Sequence, residues 1–266
     1  MPGSHHHNKL AWDRLAKSKH PLALPANARD FSDPLGRMDS IGWLGGNVRD
    51  KKLLCLAAGG GKHSVLYATA GAQVTVVDIS PAMLELDKQQ ATKHNLHIAI
   101  VETSMDDLSM LAMDTFDIVV QPVSTCYVPD ISAVYQEVAR VLHTNGVYIS
   151  VHKQPTSLQA DIDKTAQGYC IKQPYYLESP LPPARSGTEL REQGTHEYLH
   201  RWEQLVGAMC RAGFVIEDLV EPRHSKNEKN TEQFRHRAEY IAPYVGIKAR
   251  LQNPGSNNTE TIWTPN

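Results

Sequence analysis

The chain has 266 residues, of which 41% are hydrophobic and 21% charged, and its 27 Lys and Arg stand against 29 Asp and Glu for a formal net charge of −2. A length of this order builds one large core without disulfide or metal staples, and a near-neutral charge lacks the basic field that holds a nucleic-acid backbone, so no nucleic-acid partner is expected. No apolar run approaches the roughly 18 residues of a membrane-spanning helix, and no hydrophobic leader opens the chain, so neither a membrane protein nor an exported one is expected.

Taken in chain order, the N-terminal stretch, 1–49, is the least regular. His5, His6 and His7 follow Met-Pro-Gly-Ser, read as a tag remnant, and are left out of any metal argument. Trp12, Asp33-Pro34-Leu35-Gly36-Arg37 and Trp43 follow before any strand signal. From residue 52 strand-like and helix-like segments alternate, the pattern of a parallel sheet covered by helices. Residues 52–57 form a continuous apolar run, as a strand buried on both faces requires. Gly59, Gly60 and Gly61 come next, then a helix over 63–69 and a β-branched strand over 73–78. Ser80 and Pro81 supply an N-cap and a first-turn proline for a helix reaching about residue 94. Short strands follow at 98–102 and 116–121. The helix over 130–142 places Ile131, Val134, Tyr135, Val138 and Val141 on one stripe, closes at Thr144-Asn145-Gly146, and leads into a fifth strand over 147–152.

The alternation then breaks. Residues 153–198 carry Pro155, Pro174, Pro180, Pro182 and Pro183 and read as an insertion, with Tyr175 and Tyr176 as candidate pocket walls. A helix over 199–212, a strand over 215–220, a charged and solvated excursion over 226–237 and a last strand over 244–250 complete the domain, which spans 50–251. The Asn-, Gly-, Ser-, Thr- and Pro-rich tail over 252–266 is expected to fray. Cys55, Cys126, Cys170 and Cys210 show no C-x-x-C spacing and read as reduced thiols of a cytoplasmic protein. His196 and His200, four apart, have ligand spacing on a helix but no evident third partner, so no metal is expected.

The feature that carries chemistry is Leu54-Cys55-Leu56-Ala57-Ala58-Gly59-Gly60-Gly61-Lys62-His63-Ser64, followed by Val76-Val77-Asp78. A glycine turn between a buried strand and a helix lets a ligand approach the backbone, and an acid closing the next strand accepts both hydroxyls of a ribose. Together they describe a pocket for an adenosine-bearing ligand at the carboxyl ends of the strands. The dinucleotide pattern G-x-G-x-x-G fits except at its last position, where Ser64 stands, so a nicotinamide cofactor stays open on these residues alone.

Over residues 50–250 the sequence resembles the class I S-adenosylmethionine-dependent methyltransferases. Residues 53–64 resemble their first motif and 76–80 their second, whose acid binds ribose. Ser104-Met105-Asp106-Asp107-Leu108 resembles the adenine-binding turn, Phe116-Asp117-Ile118-Val119-Val120 the fourth motif, and Arg140-Val141-Leu142 with Gly146 the stretch after it. His200-Arg201, Ala212-Gly213-Phe214 and Glu221-Pro222 resemble the last third of small-molecule methyltransferases. The resemblance implies a three-layer, Rossmann-like α/β fold with a seven-stranded, mostly parallel sheet and an antiparallel last strand. It implies S-adenosylmethionine as cofactor, leaving as S-adenosylhomocysteine, with contacts from Ala57, Ala58, Gly59, Gly61, Asp78, Ile79, Met83, Ser104, Met105, Asp106 and Gln121. The acid that usually opens the first motif is Cys55 here, its first glycine is Ala57, and Ser104 stands where Asp is common, so Asp106 is expected to take the adenine contact. A buried Cys55 thiol carries no charge, which leaves the methionine end to backbone carbonyls or to the N-terminal segment, read as a lid.

Methyl transfer is an in-line displacement, and much of its catalysis is positioning and desolvation, with a base where the acceptor needs one. Tyr127, His152 and His200 are the base candidates, since the methyl group must point past the fourth and fifth strands. His63 is read as a helix cap or cofactor contact, and Arg37 as a surface ion pair or a partner of the cofactor carboxylate. The expected function is methylation of an unidentified small molecule. The alternatives are a nicotinamide-dependent oxidoreductase using the same turn, or a non-catalytic S-adenosylmethionine-binding protein.

Overall fold

The computed structural model describes residues 2–184, 190–224 and 233–252. Its centre is one seven-stranded sheet: β1 (Lys52–Leu56), β2 (Gln73–Asp78), β3 (Ile98–Glu102), β4 (Phe116–Gln121), β5 (Leu142–Lys153), β6 (Phe214–Val220) and β7 (Tyr244–Leu251). The order across the sheet is β3-β2-β1-β4-β5-β7-β6. The first five strands run parallel, and β7 is antiparallel to both β5 and β6. The chain therefore reverses direction outward from β1, to β2 and β3 on one side and β4 on the other. That switch point opens a crevice at the carboxyl ends of β1 and β4, where open α/β sheets bind ligands.

Leu53, Leu54, Cys55 and Leu56 have no exposed surface, because helices cover both faces of β1. The layers are built by α1 (Pro2–Lys17), α2 (Pro34–Met38), α3 (His63–Thr69), α4 (Pro81–Lys93) and α5 (Ile131–Val141), followed by α6 (Pro155–Gln159), α7 (Ala208–Arg211) and α8 (Gln233–Arg237). Asp130 caps α5 by accepting from the Ser132 N–H, and the predicted stripe of that helix is buried throughout. Ser80 caps α4 as its sequence position requires.

Three expectations change. The fifth strand starts at Leu142 rather than 147, because Leu142 already pairs with Phe116 before a bulge restores the register at Val147. The helix expected over 199–212 is shorter, a π-turn over Glu203–Gly207 running into α7. The residues ahead of it are drawn off to the turn after β4, where Tyr198 N–H donates to the Cys126 carbonyl (2.7 Å) and a His200 ring nitrogen lies 2.9 Å from the Thr125 carbonyl. The excursion over 226–237 is not wholly solvated. Residues 225–232 lie outside the described residues, but Arg237 on α8 is 1% exposed, its guanidinium donating to the Ser157, Ala160 and Asp161 carbonyls. The expected frayed tail likewise lies outside the described residues from 253 onward.

The N-terminal helix crosses over the crevice. Asn8 donates to the Tyr127 and His196 carbonyls (2.9 and 3.0 Å) and accepts from the His196 N–H (2.7 Å). On its other side Asp13 accepts from Ser80 Oγ (2.6 Å) and the Ala82 N–H (3.2 Å). His5, His6 and His7 lie on this packed helix, and His5 reaches Asp106. Among the described residues no helix is long and apolar enough to cross a membrane.

Candidate active site

A cavity of about 750 Å³ lies between the carboxyl ends of the strands, α1 and the insertion, within the size range of small-molecule sites. Its floor is the glycine turn. Gly60 and Gly61 take φ of +117° and +70°, and a Cβ at 61 would stand 2.8 Å from the Leu86 carbonyl, so the turn closes onto α4 only as glycine. Ala57, at the position of the usual first glycine, holds φ +47°, a left-handed conformation that an alanine adopts under strain.

Asp78 closes β2 with 8% of its surface exposed. Its Oδ2 accepts the Gly59 N–H and its Oδ1 the Ser80 N–H, each at 2.9 Å. Burial pushes its pKa up to about 6, against the pull of those amide bonds. Ala57, Ala58, Gly59, Asp78, Ile79, Met83, Ser104 and Met105 all line the cavity. Three predicted contacts do not line it. Gly61 turns toward α4 and accepts the Ala26 N–H instead. Asp106 is held by Ser104 Oγ and by His5 Nε2 at 2.8 Å, and His5 takes the place on the cavity wall. Gln121 lies behind the wall, donating to Ser124 Oγ (2.9 Å) and Met105 Sδ (3.2 Å) and accepting from Tyr148.

Of the three base candidates only Tyr127 reaches the cavity. It sits in the 3₁₀ turn Thr125–Tyr127 after β4, edge-on to Trp12 of α1 with ring centroids 5.6 Å apart. Its hydroxyl donates to Glu192 Oε2 at 2.6 Å. Burial, with the adjoining Glu192 charge, raises its pKa well above the usual phenol value, so it stays protonated. His152 is fully buried beneath, with Thr125 Oγ1 2.8 Å from one ring nitrogen and Ser150 Oγ 2.7 Å from the other. Burial pulls its pKa down to about 3, which makes it a neutral link between β5 and the Tyr127 turn. His200 is 4% exposed, tied to Thr125, and lowered in pKa by burial. Both histidines support Tyr127 from outside the cavity.

Glu192, from the insertion, also lines the cavity, and its partners form a closed charge cluster. Lys153 at the end of β5 donates to Glu192 (2.6 Å) and Glu197 (3.1 Å), and Arg191 Nε donates to Glu197 (2.7 Å). Two cations offset two carboxylates with little water between them. Burial pulls the Glu192 carboxyl upward, but the Lys153 ammonium outweighs it and holds Glu192 ionised below the usual range. Glu197 is raised, by burial first and by its neighbour Glu192. Tyr244 at the start of β7, His63 and Lys62 complete this part of the wall.

Other candidates lie elsewhere. Tyr175 stacks edge-on against Tyr176, which is 74% exposed with the Arg201 guanidinium over its ring. Arg37 pairs with Asp30 (3.0 Å) at the surface. His196 stacks on His7 with centroids 3.7 Å apart, and no group of three or more His, Cys, Asp or Glu is arranged to hold a metal among the described residues. Cys55 is buried in the apolar layer behind the turn, its pKa raised by burial. Sequence reasoning missed Glu192 and Tyr244, which chain separation hides. Asn8 and Trp12 carried a usable signal, since four residues apart they share one helix face.

Comparisons with known proteins bear on the family and the fold. Residues 54–150 match the family described as "Methyltransferase domain". The "uncharacterized methyltransferase YbaJ" of Bacillus subtilis (strain 168) is 34% identical over 179 residues, 66% of this chain and 70% of that protein. Among solved structures, an S-adenosylmethionine-dependent methyltransferase from Mesorhizobium loti superposes with a TM-score of 0.60 at 21% identity, covering 77% of this chain and 92% of that one. Geranyl diphosphate C-methyltransferase from Streptomyces coelicolor A3(2), solved with Mg2+, geranyl diphosphate and S-adenosyl-L-homocysteine, gives 0.56 at 17% identity, covering 86% and 89%.

Proposed function

This chain belongs to the class I S-adenosylmethionine-dependent methyltransferases, and from that premise we propose that it methylates a small organic molecule held beside the cofactor in the 750 Å³ cavity. The observation that carries the proposal is that one cavity is lined both by the cofactor motifs and by the Tyr127–Glu192 pair. Its walls include α1 residues His5, Asn8 and Trp12 together with Leu22, Leu24 and Pro25, and its volume suits a compact ligand.

The residues fit the cofactor. Asp78 presents a buried carboxylate that accepts the Gly59 and Ser80 N–H groups, one on each oxygen, with the Ile79 amide also acting on it, and an ionised carboxylate so bonded keeps acceptor capacity for a ribose hydroxyl. Ser104 and Met105, which line the cavity, would hold the adenine, and the backbone of Ala57–Gly60 would hold the methionine end. S-adenosylmethionine supplies a methyl carbon made electrophilic by its sulfonium. The chain's own part is to orient the acceptor, exclude water and take up a proton. Tyr127 Oη donates to Glu192 and has a lone pair left to accept an acceptor's O–H or N–H. An acceptor proton passing to Tyr127 Oη is matched by the phenol proton passing to Glu192 Oε2, and Lys153 steadies that carboxylate until transfer.

Calorimetric titration with S-adenosylhomocysteine, followed by incubation with methyl-labelled S-adenosylmethionine and a fractionated small-molecule extract, tests the reading. Binding together with a labelled small product supports it. No heat at millimolar S-adenosylhomocysteine, or binding without any labelled product, overturns it, the second outcome in favour of a non-catalytic binding protein.

A further inference from the structure

Cys55 stands at the strand position where methyltransferases of this kind carry an acid, and its thiol is buried and uncharged. A carboxylate nevertheless reaches the same turn from another element. Asp87, in the second turn of α4, has no exposed surface. Its Oδ2 accepts the Gly60 N–H at 2.8 Å, with the Met83 carbonyl as a second and longer acceptor at 3.1 Å. Its Oδ1 accepts the Ser64 hydroxyl in the first turn of α3, and the Gly61 amide also acts on it. From the opposite side Asp78 holds the neighbouring Gly59 N–H at 2.9 Å. Successive amides of the turn are therefore gripped by two carboxylates.

The groups facing Asp87 from the packed elements are Cys55 on β1, Ser64 on α3 and Asp78 on β2, with Asp13 of α1 acting on Asp78 in turn. None of these is a cation. Burying an acid without an opposite charge is costly, and such groups survive where they organise a site. A neutral side chain of the same size does not replace it: only an ionised carboxylate accepts from Gly60, Gly61 and Ser64 together.

We propose that Asp87 is a positioning residue for the cofactor, in which α4 supplies the acid that β1 lacks and fixes the Gly59–Gly61 turn and the start of α3 in the geometry that binds the methionine end of S-adenosylmethionine. The assignment rests on the reading of the cavity as the cofactor site. Burial first, then the nearby Asp78, raises the Asp87 pKa to about 7 against the pull of its hydrogen bonds. Protonation near neutrality replaces an acceptor by a donor and loosens the turn.

The test is the affinity for S-adenosylhomocysteine, by calorimetry from about pH 6 to about pH 8.5, in the unaltered protein, Asp87→Asn and Ser64→Ala. The unaltered protein should bind more tightly as pH rises through about 7. Asp87→Asn should bind about tenfold more weakly near pH 8, the size of one hydrogen bond to a charged group, and lose the pH dependence above about pH 6.5. Its ligand-free melting temperature should not fall, since an unpaired buried charge has been removed. Ser64→Ala, which keeps the acid and removes one donor, should bind about threefold more weakly with its pH midpoint moved upward. Folded Asp87→Asn that binds within twofold of the unaltered protein with the same pH profile overturns the proposal. If that variant does not fold, an unchanged affinity and profile in Ser64→Ala does so. An unaltered protein that binds no S-adenosylhomocysteine overturns the cofactor reading of the cavity itself.

Discussion

Replacing Lys153 by methionine keeps the length of the side chain and removes the charge at the centre of the insertion's ion cluster. The Lys153, Glu192 and Glu197 side chains are 2%, 9% and 0% exposed. Glu197 keeps Arg191 at 2.7 Å after the change, while Glu192 loses the ammonium that faces it and keeps hydrogen bonds with the Tyr127 hydroxyl and Glu197. One carboxylate is left buried and uncompensated, a situation that costs about 3–5 kcal/mol. At about 2–3 °C per kcal/mol for a chain of this size, the melting temperature should fall by roughly 6–15 °C. The loss has a pH signature. Without Lys153 the folded-state pKa of Glu192 rises above its unfolded value, so folding takes up protons and stability declines as pH increases through that window. Lys153→Met should therefore melt closer to the unaltered protein at about pH 5.5 than at about pH 8. Adding Glu192→Gln should restore most of the loss, because the orphaned charge is gone. Differential scanning calorimetry at the two pH values measures all three variants. A Lys153→Met protein melting within about 1 °C of the unaltered one at pH 8 refutes the reasoning, and so does a deficit that grows toward low pH.

Three further outcomes follow from the site. Asp78→Asn removes the charge proposed to meet the ribose, and S-adenosylhomocysteine affinity should drop about 10–100-fold, one to two charge-assisted hydrogen bonds, with no loss of melting temperature; calorimetric affinity within threefold of the unaltered protein would count against the assignment. Tyr127→Phe should leave that affinity within about threefold while turnover on the identified acceptor falls about 100-fold, the range of positioned proton transfer; equal turnover removes Tyr127 from the chemistry. His152 is neutral in the fold, its pKa pulled down to about 3 by burial, and it charges near 6.5 in the unfolded chain, so stability is lost as pH falls below that value. From about pH 7 to about pH 5.5 the unaltered protein should lose about 1 kcal/mol more than His152→Asn by urea unfolding, and equal losses would falsify the buried, neutral assignment.

How much of this was legible beforehand depended on how local each feature is. The run 52–57, the glycine turn and Asp78 are close in sequence and obey short-range rules, so the strand, the turn and the cavity floor could be read from spacing. The stripe of α5 and the Ser80 cap were equally plain, because a helix repeats its buried face every turn. The assignment of His152 to the chemistry failed for a definite reason. A histidine at the end of a strand reaches the ligand crevice only if its own step of the pleat faces that way, and the partners Thr125 and Ser150 bind its two nitrogens from within the core. The histidines that follow Met-Pro-Gly-Ser carry no local signal of a site, yet His5 holds Asp106 and lines the cavity.

What the sequence determined by itself is the sheet, its cofactor motifs and the family, all written in local periodicity and in a handful of residues separated by one strand or one turn. What only the tertiary structure decided is the rest of the cavity: Glu192 against Tyr127, Lys153 between two distant acids, Asn8 of α1 across the crevice, and Asp87 beneath the turn that Cys55 leaves without a charge. Those contacts join residues tens to nearly two hundred positions apart. Their energies come from burial and from the pairing of charges out of water, and neither exists until the chain has folded.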